Sequence, residues 1–431
     1  MRAVLFKGSR ECVPLYALYA LLFADHGLNT AQISSLLALW SVTSFVLEVP
    51  SGAWADTVSR RGLLVLSGGL VAGAFTLWTV TPSYLGFALG FVLWGVSGAL
   101  ESGTFEALMY DELAARARTG AYARLMGYAR AAAETTVMVA ILAAAPLYAL
   151  GGYALVGWVS VSMAVVHTAI CLLLPNAPKA VAAPEEGTAD VVPVGHAPAY
   201  AVGRPAAAAE LDLGAESTVT RYLAMLRAGV AETWRVRGVR RGVLLGALLF
   251  GITAYDEYFA LLAQSAGVST TVVPVLIGVT VAGSMTGTLL AGRTSSFSAR
   301  ALAWMVAAGG VLFVGGALVA GAAVGRPEWM YPLTVAGFVA IGIGYGAVLN
   351  AEIVADARLQ DAIEGPARAT VTSVSGLLAE VVALGVFGVA ALAGAWLSMS
   401  ATLAILGSAM FVIAALTPVW LPRRRAEQVA R

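Results

Sequence analysis

Seven ionisable side chains stand inside otherwise apolar stretches of this sequence: Glu101, Arg130, Glu134, Asp256, Glu257, Glu352 and Glu380. Carboxyls can take up and release protons, and a guanidinium can grip a carboxylate at two points. Arg130 and Glu134 are four apart, the spacing of an intrahelical pair, so they form either a structural ion pair or part of a site. Asp256 and Glu257 are adjacent; on a helix their side chains point roughly 100° apart, so only one of them faces a given cavity. A second set of charges is packed into one junction, EVPSGAWADTVSRRGL at 48–63. Glu48, Gly52 and Asp56 are spaced by four and share a helix face, and Arg60 and Arg61 follow.

Other chemistries lack the residues they need. The histidines are His26, His167 and His196 and the cysteines Cys12 and Cys171, none in metal-ligand spacing. The lysines, Lys7 and Lys179, do not sit in a phosphate-binding G-x-x-x-x-G-K-[ST] loop. No Gly-x-Ser-x-Gly elbow stands out. The expectation is therefore no cofactor, no metal and no ATP-driven pumping, with a membrane enzyme as the remote alternative. A net charge of +1 gives no electrostatic case for a nucleic-acid partner.

The composition identifies the barrier these charges sit in. Hydrophobic residues make up 59% of the chain, charged residues 12%, and the mean hydropathy is +0.82. Soluble domains carry about 25% charged residues. Many uncharged runs approach the ~20 residues that span hydrocarbon as a helix. They are continuous and do not alternate, which excludes an outer-membrane barrel. The chain is read as an all-α polytopic membrane protein with spans at about 5–24, 31–55, 62–80, 84–112, 121–149, 152–174, 241–265, 270–292, 299–323, 330–356, 367–393 and 396–420. Residues 1–174 and 241–421 are then two six-helix bundles, 175–240 a linker and 422–431 a basic tail. The linker is rich in Pro, Ala and Gly up to 216. At 217–237, Tyr222, Leu223, Leu226, Val230 and Trp234 recur at helical spacing, as in an amphipathic helix on the membrane surface or a soluble linker helix. The basic start, MRAVLFKGSRE, is read as the beginning of the first helix and not as a removable signal peptide.

Positive charge orients the spans. Loops after spans 2, 4, 6, 8, 10 and 12 carry Arg60 and Arg61, Arg116, Arg118 and Arg124, Lys179 to Arg241, Arg293 and Arg300, Arg358 and Arg368, and Arg423 to Arg425. The opposite loops carry Arg326 alone. Basic loops stay cytoplasmic, so both termini and the linker are expected inside.

Gly52, Asp56, Arg60 and Arg61 spell G-x-x-x-D-x-x-x-R-R at the turn after span 2. This resembles the loop signature of the major facilitator superfamily, the twelve-helix secondary transporters, and the likeness extends over nearly the whole chain. The resemblance implies two pseudo-symmetric halves that enclose a cavity and rock against each other. It also implies that Asp56 and Arg60 form a latch with Asp111, in FEALMYDEL, and with the start of the eleventh helix, PARATVTSV, where Arg368 stands. The matching junction of the second half, GTLLAGRTSSFSARAL, keeps Gly287, Gly292 and Arg293 but lacks the acidic residue. Segments YDEL…GAYARLMG and ADARL…GPARATVTS are a further likeness between the halves. The antiporter motif G-x-x-x-G-P-x-x-G-G is only partly met by ILAAAPLYALGG, where Pro146 is present, Ala145 replaces a glycine, and Gly151–Gly152 are displaced by two.

In the resembled family helices 1, 4, 7 and 10 line the cavity, which selects Glu101, Asp256 and Glu257. The fourth and fifth spans form a hairpin turning around 113–121, which sets Glu101 level with Ala133, beside Glu134 and one turn from Arg130. Glu101 is thus the first candidate for proton coupling, with Asp256 and Glu257 as its rivals. Tyr16, Tyr19, Trp94, Tyr255, Tyr258 and Tyr345 serve packing or face the cavity. The expected function is proton-coupled export of amphipathic small molecules by a monomer in the bacterial cell membrane. Import or facilitated uptake of a nutrient is the alternative, and Na⁺ the alternative coupling ion.

Overall fold

The computed structural model describes residues 1–175, 236–363 and 368–423, and these are helical throughout, with no strand among them. Side chains at 49, 50, 52, 53, 55–57, 123, 368–370 and 373 are also outside the described set. The linker and the expected surface helix lie, up to Arg235, outside it as well.

Among the described residues ten helical stretches are long and apolar enough to cross a membrane. One of them, Thr119–Leu172, has 54 residues and is two spans: the chain turns at Gly151 and at Gly152, whose φ is +58°. A shorter, broken helix at the start brings the count to twelve. Helix 1 runs Arg2–Arg10, Pro14–Ala17 and Tyr19–Asp25; helix 2 is Thr30–Thr57, and helix 3 is Arg60–Val80. Helix 4 runs Tyr84–Glu101 and Thr104–Ala115; helices 5 and 6 are 122–150 and 153–172. Helix 7 runs Arg237–Gly251, Ile252–Tyr258 and Phe259–Ser265. Helices 8 to 12 are Val273–Thr294, Ala299–Gly321, Met330–Ala362, Arg368–Ala393 and Met399–Trp420. The Gly151–Gly152 pair therefore makes the turn between helices 5 and 6.

Local chemistry sets several of these starts. Asn29 and Gln32 form a reciprocal capping box on helix 2. Ser59, Ser83, Ser298 and Ser398 each accept a first-turn backbone N–H at helices 3, 4, 9 and 12. Helices 8 and 10 meet through glycines four apart on each. A Cβ on Gly283 would stand 2.3 Å from the Gly342 carbonyl oxygen, and one on Gly287 2.0 Å from that of Gly346. Only hydrogen fits there, and the backbones approach accordingly.

Helices 1, 4 and 7 are interrupted along their length. Pro14 has no N–H and its ring clashes one turn back, so the first piece of helix 1 stops at Arg10. The freed N–H of Leu15 donates to Ser160 Oγ of helix 6 at 3.1 Å, the repair that irregular backbone requires in a bilayer. Helix 4 breaks at Ser102–Gly103, where Gly103 takes a φ of +70°. Helix 7 tightens into 3₁₀ geometry over ITAYDEY without a glycine or proline; such stretches often mark hinges. The far ends of helices 1 and 7 are alike: Ala20–Thr30 reads ALLFADHGLNT and Ala260–Thr270 reads ALLAQSAGVST, with Gly27 and Gly267 both left-handed, at φ +88° and +91°.

Two faces result: a basic face bearing the start of helix 1, the end of helix 12 and the arginine-rich turns, and a far face opposite. Three hydrogen bonds between described side chains join the halves, from the far face to mid-depth. Gln264 donates to Asp25 at 2.6 Å, Ser34 and Tyr258 share a bond of 2.7 Å, and Ser41 donates to Glu380. Tyr153 adds a second donor to Asp25 at 2.6 Å. Thr30 packs on Gly394 and Leu142 on Gly278. These contacts close the far face.

Candidate functional site

The interruptions of helices 1 and 4 lie side by side. Glu101, the last residue of the first piece of helix 4, takes Lys7 Nζ on Oε1 at 3.0 Å and Arg10 Nε on Oε2 at 2.7 Å. Lys7 also lies 3.5 Å from Glu106 and 4.8 Å from the centre of the Phe105 ring. A cavity of about 400 Å³ opens here, lined by Lys7, Arg10, Glu11, Glu101, Ser102 and Glu106 together with Gly98 and Gly103. Arg10 reaches on to the Tyr16 hydroxyl at 3.5 Å. Tyr16 stacks on Trp94 with ring centres 5.3 Å apart, and Trp40 follows at 5.5 Å. Arg10 thus lines the charged pocket and bonds to the edge of an aromatic cluster.

This corrects the partners expected for Glu101. Arg130 bonds Glu134 of its own helix at 3.7 Å, and both are open, with side chains 81% and 47% exposed. Depth matching in a helix hairpin ignores helix 1, whose cations take Glu101. Lys7 and Arg10 are three residues apart, so they share a helical face. That spacing was the available signal for them.

Asp256 and Glu257 occupy the 3₁₀ stretch of helix 7. Asp256 accepts from the Tyr345 hydroxyl at 2.8 Å. Among the described residues neither carboxyl has an ion-pair partner, unlike Glu101. Tyr255, Phe259, Phe313 and Tyr345 pack around this turn. On helix 11, Glu380 accepts from Ser41 across the two halves; Glu48 lies two turns further along helix 2, on the same face as Ser41.

At the basic face the structure pairs Arg60, in the first turn of helix 3, with Asp111 of helix 4; both side chains are about nine-tenths buried. Arg61 is half-buried beside it. Positions 52, 56 and 368, the other members of the expected latch, fall outside the described side chains. In the second half the polarity is inverted. Arg358 of helix 10 is buried and donates to the carbonyls of Ser295 and Phe297, just past helix 8. A cation there meets the negative end of a helix, which explains how this junction holds without an acidic residue.

The family model of the Major Facilitator Superfamily matches residues 13–383. Among solved structures the chain is similar to a mutant of the nucleoside transporter NupG, at 12% identity and a TM-score of 0.71 over 97% of this chain and 98% of that one. It is similar to a bacterial homologue of the iron transporter ferroportin in an inward-facing state, at 15% identity and a TM-score of 0.63 over 98% and 97%. It is also similar to a bacterial homologue of the human lysosomal transporter Spinster, at 13% identity and a TM-score of 0.62 over 97% and 94%. No match is found among curated proteins. With twelve helices in two like halves and a family match over most of its length, the chain belongs to the Major Facilitator Superfamily.

Proposed function

We propose that this membrane transporter is a proton-coupled exporter of amphipathic small molecules that works by alternating access. The observation that carries the coupling is the pair Asp256 and Glu257, set on a helix interruption with no ion-pair partner among the described residues. Ionisable groups at membrane depth are costly and mark ion and substrate paths. Broken helices at the midplane are where transporters bind. Glu101 is the weaker coupling candidate, because Lys7 and Arg10 already neutralise it. The amphipathic substrate is supported by the charged pocket and by the aromatic cluster of Tyr16, Trp94 and Trp40 that Arg10 joins to it.

The arginine-rich turns support a cytoplasmic basic face, with both termini and the linker inside. Arg60 and Asp111, with Asp56 and Arg368, form the cytoplasmic latch in this reading, and the Asp25 contacts close the opposite gate. The test is a drug and metabolite panel on cells overproducing the protein, with and without a protonophore. Lower accumulation of a compound, abolished by the protonophore, supports the reading. Energised accumulation inside the cells would replace export with import.

A further inference from the structure

The cavity between the breaks of helices 1 and 4 has features that point to one chemical group. Two cations from helix 1 converge on the two oxygens of a single carboxylate from helix 4, one each. This is how a site grips a free carboxylate. Arg10 is buried, 7% exposed, so the grip is built into the protein and is not a surface accident.

The carboxylate now in that grip is poorly placed otherwise. Glu101 ends a helix piece, where the negative end of the helix opposes it, and only the cations offset this. It is followed by the Ser102–Gly103 joint, with Gly103 in the left-handed region, so a small backbone rotation would swing it out. Just beyond, the second piece of helix 4 starts without a side-chain cap. Its first N–H groups have no acceptor within the helix. The hydroxyl of Thr104, its first residue, is buried and has no partner among the described residues.

We propose that a carboxylate of the transported molecule replaces Glu101 between Lys7 and Arg10, so that the substrate is an amphipathic organic acid. The proposal rests on the transporter reading above and names its substrate class. The cavity, about 400 Å³, suits a small molecule. Arg10 also bonds the Tyr16 hydroxyl, so the stacked Tyr16–Trp94 pair is the nearest aromatic surface for the apolar or aromatic body of the acid. Exchange of one carboxylate for another leaves the charge beside the two cations unchanged. A cationic headgroup in the same place would meet Lys7 and Arg10 directly; Glu11 and Glu106 on the rim are the groups it would need instead. Direction also fits. An anion leaving a negative-inside cell and a proton entering it move charge in the same sense, so the membrane potential drives both.

The experiment uses the full chain in lipid nanodiscs and proteoliposomes with three matched probes: phenylacetate, phenylacetamide and phenethylamine. Phenylacetate should raise the melting temperature of the wild type, and the amide and the amine should not. Glu101→Gln should melt lower, be restored by phenylacetate, and bind it about tenfold or more tightly than the wild type, since the internal competitor is gone. Arg10→Lys, which keeps the charge but loses the fork, should weaken phenylacetate binding by about tenfold. If Glu101→Gln does not fold, the wild type and Arg10→Lys still decide. Equal response to all three probes, preference for the amine, or no response to phenylacetate overturns the carboxylate site. Proton flux driven by phenethylamine alone overturns the site and leaves the proton-coupled reading standing. Carboxylate-selective binding without any proton flux supports the site and sinks the coupling.

Discussion

Arg10 and Glu101 are joined by a hydrogen bond of 2.7 Å that ties the break in helix 1 to the break in helix 4. The bond lies between two nearly buried side chains. Removing one partner of a buried pair costs about 3–5 kcal/mol when the other is left unpaired. Without Arg10, Glu101 keeps Lys7 at 3.0 Å, so the cost falls below that range. Arg10→Gln should therefore lower the melting temperature clearly. The double variant Arg10→Gln with Glu101→Gln should recover part of the loss, with a coupling energy of about 2 kcal/mol. Additive losses in thermal unfolding would show that the two side chains do not act as a pair.

The latch at the basic face makes a different prediction. Asp111→Asn removes the negative charge that pairs with Arg60 while keeping the shape and one acceptor oxygen. Membrane insertion should be intact, transport should fall, and a cysteine placed on the basic face should label faster. Asp56→Asn should behave alike. Wild-type transport and labelling in both would show that neither carboxylate belongs to a latch.

Helices 8 and 10 should tolerate no side chain at their crossing. Gly287→Val would push a branched chain into the Gly346 backbone, where even a Cβ stands 2.0 Å from the carbonyl oxygen. Overpacking costs about 1–3 kcal/mol where neighbours can yield, and backbone yields least. The variant should lose most of its folded protein in detergent-solubilised size-exclusion profiles, whereas Gly292→Ala, with nothing within 4 Å, should be neutral. A monodisperse, stable Gly287→Val would refute the close crossing.

Much of this fold was legible in the sequence because apolar runs report bilayer thickness directly. The first pair of spans, 5–24 and 31–55, falls where helices 1 and 2 lie. The interruptions were harder to read. Pro14 was visible, but Gly103 is one of 47 glycines and the 3₁₀ turn of helix 7 contains neither glycine nor proline. The site suffered most from this. Glu101 was picked out by its depth, yet its partners come from a helix distant in sequence, and hairpin arithmetic cannot see a third helix. The likeness between Ala20–Thr30 and Ala260–Thr270 stood in the sequence, and aligning the halves there would have matched the two broken helices.

Asp25 and Gln264 hold the far ends of helices 1 and 7 together at 2.6 Å. A hydrogen bond to a charged group contributes about 1.5–3 kcal/mol, so Gln264→Leu should shift the conformational balance toward an open far face by roughly tenfold or more. Spin labels on the far ends of helices 1 and 7 should show a longer distance population in electron–electron double resonance. An unchanged distribution would mean that packing at Gly394 and Gly278, and not this bond, closes the face.

The central claim is that helix 7 carries the coupling proton. Its most direct measurement is substrate-driven proton flux in proteoliposomes, using a compound identified by the transport panel, for Asp256→Asn, Glu257→Gln and Glu101→Gln. The account predicts that at least one helix 7 variant loses proton flux while still exchanging substrate down its gradient. Glu101→Gln should keep its proton flux and change its apparent affinity. Full proton coupling in both helix 7 variants, with loss in Glu101→Gln, would contradict the account and return the coupling site to helix 4.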